Sequence, residues 1–80
     1  MNKDLRLKIV SVVKEVMGID IESMDHTRKI QTISEWDSFN NLMLISRFQQ
    51  EFSVEFTAHE IEATQTIQDL FNLIQKKAGS

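Results

Sequence analysis

The 80-residue chain contains no cysteine, no proline and only two glycines. Without cysteine there is no disulfide to brace the fold, no thiolate nucleophile and no zinc site of Cys type. Any thiol chemistry would need an imported thiol. The lack of proline and scarcity of glycine favour helix, because strands and tight turns are usually punctuated by those residues. No apolar run approaches the ~20 residues that cross a bilayer, so no membrane insertion is expected. No basic block occurs and the formal charge is −3, which disfavours a nucleic-acid partner. The first residues, Met1-Asn2-Lys3-Asp4-Leu5-Arg6, mix both charges and lead into no apolar core of signal-peptide type. A cytoplasmic monomer is expected.

What is present is a balanced composition, 41% apolar and 26% charged, typical of a compact globular chain. Its length suits one small domain over residues 1–80, burying ~60–65% of its unfolded surface. Leu5, Ile9, Val12, Val13 and Val16 follow the spacing of one helix face, and Gly18 is placed to end that helix. This predicts a first helix over about 2–17. From Gly18 to Asp37 the periodicity breaks down, with Ile19, Ile21, Met24, Ile30 and Ile33 scattered among polar residues. Connections longer than ~12–15 residues are uncommon and usually functional. The isoleucines suggest a loop pinned to the core, with a short helical turn inside it.

A second helix is predicted over 38–52, with Leu44, Ile45, Phe48 and Phe52 as its core stripe. Thr57-x-x-Glu60 reads as a capping box, with Phe56 and Ile61 as its hydrophobic staple, and opens a short helix. Thr66-x-x-Asp69 repeats the capping pattern. Ile67, Leu70, Phe71 and Ile74 then form a helical stripe, and Lys76 and Lys77 suit the negative end of the dipole.

Asp37-Ser38-Phe39 stands where the loop meets the second helix. A serine in a first helical turn lies beside unpaired N–H groups and the positive end of the macrodipole, a favourable place for a phosphate ester. Asp37 is a good N-cap and would leave the Ser38 hydroxyl free. Taken alone, Asp-Ser before an apolar run is most often a plain helix cap. The ordered set of features is more specific. The amphipathic first helix, Ile19-Asp20-Ile21, Trp36-Asp37-Ser38-Phe39, Phe48-Gln49-Gln50-Glu51-Phe52, Val54-Glu55-Phe56, Glu60-Ile61-Glu62 and Thr66-Ile67-Gln68-Asp69-Leu70 together resemble the acyl carrier protein family over nearly the whole chain.

The resemblance implies an all-α, four-helix bundle of acyl-carrier type, with a long loop after the first helix and a short third helix. It implies that a phosphopantetheinyl transferase attaches 4′-phosphopantetheine to Ser38, with Asp37 and Phe39 flanking the attachment. The arm's thiol would hold an acyl group as a thioester for acyl-loading and acyl-processing enzymes. Such a protein carries and does not catalyse, and no nucleophile here pairs with a base and an orienting group. A stand-alone peptidyl carrier shares the same fold and arm; the length and acidic isoelectric point lean toward an acyl carrier. A small helical interaction module without a prosthetic group is the rival from a different class.

The chain departs from the family pattern in three ways. Phe39 stands where Leu is usual, and Trp36 replaces a common glycine. Asn40, Asn41, Gln49 and Gln50 occupy positions often acidic in fatty-acid carriers, while Arg47 adds a positive charge. Weak electrostatic steering is therefore expected, which points to a specialised lipid or polyketide pathway. Trp36 and Leu42 are candidate partner contacts, the alternative for Trp36 being a lid packed over the loop. His26 and His59 are single and far apart in sequence, so no metal site is expected. Glu51, Glu55, Glu60, Glu62 and Asp69 read mainly as a solvated face.

Overall fold

A computed structural model describes residues 2–79. Four α-helices follow in the expected order: α1 (Lys3–Met17), α2 (Ser38–Phe52), α3 (Ala58–Ala63) and α4 (Ile67–Ala78). Their ends are set by local chemistry. The Asn2 side chain accepts from the N–H groups of Asp4 and Leu5, and Gly18 closes α1 at φ 71°, a left-handed conformation that costs glycine little. Both predicted capping boxes form, Thr57 with Glu60 and Thr66 with Asp69. α2 ends at Ser53, which holds a left-handed φ of 54° without being glycine.

The core is built from the predicted stripes. Ile9, Val12 and Val13 of α1 meet Leu44 and Phe48 of α2 and Ile67, Leu70, Phe71 and Ile74 of α4, all buried. Burying a side chain of this size contributes ~1.5–3 kcal/mol. Phe52 is half-buried and stacks on Phe48 with ring centroids 6.0 Å apart.

The long connection between α1 and α2 is pinned as its isoleucines suggest. Ile19, Ile21 and Ile33 are buried, and two short 3₁₀ turns form at Ile21–Ser23 and Ile30–Thr32. Its main chain also joins the start of α4. Ile30 N–H donates to the Gln65 carbonyl (2.9 Å), Ile67 N–H to Arg28 (3.3 Å) and Gln68 N–H to His26 (2.8 Å). With Asp69 N–H bonded to the Thr66 hydroxyl, the first three N–H groups of α4 are all satisfied. His26 is half-buried, its Nε2 lies 3.1 Å from the Ile21 carbonyl and its ring sits 5.1 Å from Phe71.

Ion pairs staple the helices to one another. Lys8 reaches Glu51 at 3.5 Å, Arg47 pairs with Glu15, and Lys77 meets Glu60 at 2.9 Å. The expectation of a solvated acidic face needs correction for three residues. Glu51 and Glu60 are ion-paired, and Asp69 accepts the N–H of Thr66 and of Gln65. The Thr57 N–H, and after it Lys77, hold the Glu60 carboxyl well below its ordinary value, at about 2. Among the described residues no helix is long and apolar enough to cross a membrane.

Candidate functional site

The start of α2 differs from the start of α4 in a way that matters chemically. Asp37 is extended (φ −83°, ψ 177°), and its carboxylate accepts the Asn40 N–H at 2.8 Å. Asn41 N–H bonds back to the Asp37 carbonyl. The N–H groups of Ser38 and Phe39 find no acceptor among the described residues, and the Ser38 hydroxyl makes no hydrogen bond there either. Ser38 is exposed. Two unspent N–H groups, the helix dipole and a free hydroxyl thus converge at one exposed point. The other serines of this region differ: the Ser34 hydroxyl is bonded to Glu35 (3.0 Å), and Ser46 lies within α2, away from either end.

The approach to α2 is held rigidly by amide chemistry. Asn40 Nδ2–H donates to the Glu35 carbonyl (2.9 Å), and Trp36 N–H to the Ile33 carbonyl (3.0 Å). Trp36 Nε1–H donates to Asn41 Oδ1 at 2.9 Å. That bond explains why Trp36 cannot serve as the partner contact considered from sequence. Its side chain is 6% exposed and belongs to the core, with its one polar atom already satisfied, so it is the lid over the loop. The sequence marks Asn41 only as a neutral residue at an often acidic position, not as a partner of Trp36. An asparagine five residues after a tryptophan carries no signal until a helix start folds the two together.

Beyond Ser38, α2 presents an apolar surface. Phe39 is 71% exposed, Leu42 66% and Met43 44%. Their i, i+3, i+4 spacing places them on one face, directly after the free hydroxyl. Leu42 and Phe39 are thus brought together with Ser38, and Met43, which the sequence pattern does not single out, joins them. The single arginine and single glutamate of α2 are both turned toward α1, where Glu15 and Lys8 neutralise them. The exposed face therefore carries no unpaired charge of its own.

On the other side of Ser38 lies an open cavity of about 240 Å³ between the loop and the segment after α3. Trp36 and Ile30 give its apolar part, and Asn41, Glu62, Thr64 and Gln65 its polar part. Among the described residues no cluster of three or more His, Asp or Glu groups is arranged to hold a metal ion.

Residues 7–74 match the family model described as a phosphopantetheine attachment site. The chain is 28% identical over 72 residues to an acyl carrier protein of Thermotoga maritima, covering 90% of this chain and 89% of that one. An acyl carrier protein of a Picosynechococcus strain is 22% identical over 80 residues, covering 100% and 99%. The crystal structure of the Thermotoga maritima acyl carrier protein superposes with a TM-score of 0.71 at 30% identity, over 94% of this chain and 87% of that one.

Proposed function

The chain belongs to the phosphopantetheine-attachment family, and we propose that it is an acyl carrier whose 4′-phosphopantetheine arm is esterified to Ser38. Members of this family are carriers rather than catalysts, and the arm is held covalently. When attached, its terminal thiol supplies the thioester that activates an acyl group for transfer. The chain's own residues present that thiol and raise its effective concentration at partner enzymes.

The observation that carries the reading is the exposed, unbonded hydroxyl of Ser38 beside two free N–H groups. Asp37 takes the capping role, so Ser38 need not spend its hydroxyl on the helix. The N–H groups of Ser38 and Phe39, with the helix dipole, would stabilise the phosphodiester anion. A phosphodiester on Ser38 Oγ would project outward from the bundle, in line with an exposed serine.

Phe39, Leu42 and Met43 form the surface that the phosphopantetheinyl transferase and acyl-processing enzymes would meet. Because α2 offers no unpaired charge, those contacts rest on apolar burial instead of salt-sensitive attraction. This favours a dedicated biosynthetic pathway in the cytoplasm over general fatty-acid synthesis. Incubation with coenzyme A and a broad-range transferase tests the assignment by intact mass: one arm should be added to the parent and none to Ser38→Ala. An arm still added to that variant, for example at Ser34 or Ser46, would refute it.

A further inference from the structure

The three residues ahead of Ser38 are held by the two asparagines that follow Phe39. Asn40 N–H donates to the Asp37 carboxylate (2.8 Å), and its Nδ2–H donates to the Glu35 carbonyl (2.9 Å). Asn41 N–H donates to the Asp37 carbonyl (2.8 Å), and its Oδ1 accepts the Trp36 Nε1–H (2.9 Å). Both asparagines are half-buried, and none of these bonds touches Ser38 or Phe39. The Glu35 carbonyl has particular weight, because it lies four residues before Phe39. In a helix that ran one turn further back it would accept the Phe39 N–H. The Asn40 amide occupies it instead, and Asp37 stays extended at ψ 177°. Asn41 meanwhile fixes the Trp36 indole in the core, next to Asp37 in the chain. A carboxylate at position 40 could not donate to the Glu35 carbonyl, whereas one at position 41 could still accept from Trp36. The geometry thus uses the donor of Asn40 and the acceptor of Asn41.

We propose that Asn40 and Asn41 are positioning residues for arm attachment, an inference that rests on Ser38 as the attachment site. They stop α2 from extending backward, so the N–H groups of Ser38 and Phe39 stay open to a phosphate. They also hold the Ser38 hydroxyl in one direction toward the incoming phosphorus. In the transfer, the Ser38 oxygen bonds to the phosphorus that bears the arm in coenzyme A. The pyrophosphate P–O bond breaks, its electron pair leaves with the adenosine bisphosphate, and the hydroxyl proton passes to a base of the transferase. A fixed oxygen favours that step because misplacing a reacting group by an ångström costs rate even where binding is intact. The neutral residues at these two often acidic positions then have a geometric cause, separate from steering by charge.

The test is transferase kinetics on the full chain with coenzyme A, followed by intact mass at high salt, where charge is screened. Asn40→Ala should lower kcat by ~10–10²-fold with KM little changed, because Phe39, Leu42 and Met43 still meet the enzyme. Asn40→Asp lacks the donor but suits a helix N-terminus, so it keeps the fold even where alanine does not, and it should be as slow as Asn40→Ala. Asn41→Asp should recover most of the rate that Asn41→Ala loses. In the amide spectrum of Asn40→Asp or Asn40→Ala, the Phe39 N–H should gain protection from solvent exchange as the Glu35 carbonyl is released to it. A parental kcat in folded Asn40→Ala or Asn40→Asp, or a loss confined to KM, would overturn the positioning role while leaving Ser38 attachment intact. Asn41→Asp as slow as Asn41→Ala would overturn it for Asn41. Failure of the parent to gain an arm at Ser38 would overturn both readings, and the parent's mass separates that case from the others.

Discussion

Three phenylalanines on one helix make a graded test of how α2 divides its work between core and surface. Phe48 is 0% exposed, Phe52 is half-buried and Phe39 is 71% exposed. Truncating a buried phenylalanine to alanine costs ~3–5 kcal/mol, from lost transfer energy and the cavity left behind. An 80-residue chain at ~0.05–0.15 kcal/mol per residue has about 4–12 kcal/mol in all. Phe48→Ala should therefore remove about a quarter or more of the stability. At ~4–8 °C per kcal/mol for domains of this size, its Tm should fall by at least ~12 °C, or the cooperative transition should vanish. Phe52→Ala should be intermediate, because part of its side chain already meets water. Phe39→Ala should stay within ~0.5 kcal/mol of the parent, as exposed substitutions do, yet it should slow modification by the transferase. Thermal melts followed by circular dichroism, alongside arm-transfer rates, measure both effects. A Phe39→Ala variant as unstable as Phe48→Ala, or a Phe48→Ala melt within a few degrees of the parent, would refute the division.

The uncharged face of α2 predicts slow malonyl transfer to the loaded protein at low salt compared with an acidic carrier. Ser46→Glu and Gln50→Glu, both at exposed positions outside the apolar Phe39, Leu42 and Met43 face, should raise that rate toward the ~10–10³-fold range of steering effects, and added salt should erase the gain; no response would sever charge from partner choice. The Glu60 carboxyl is held at about 2 against an ordinary 4.5, so its ionisation stabilises the fold fully above that ordinary value. That contribution is lost progressively as pH falls toward about 2. Glu60→Gln should therefore flatten the decline of Tm between those two pH values, and an unchanged slope would show that the Thr57 and Lys77 contacts are not maintained in solution.

The sequence by itself determined the elements whose causes are local. Gly18, Thr57-x-x-Glu60 and Thr66-x-x-Asp69 set helix ends through contacts no more than four residues apart, and the apolar stripes set which face each helix buries. Ser38 and its Asp37 cap were legible for the same reason, since a helix N-terminus is a local object. Tertiary structure alone decided what lies around that serine. Trp36 turns inward because α2 brings Asn41 to its indole N–H, and the cavity beside Ser38 is lined by Ile30 and Gln65, residues far apart in the chain whose main chains are bonded to each other. Likewise Arg47 and Glu51 lose their outward charge only because Glu15 and Lys8 stand on the neighbouring helix. Such pairings join residues that no period or spacing connects; they follow from which helix faces pack together, and packing is a property of the whole chain.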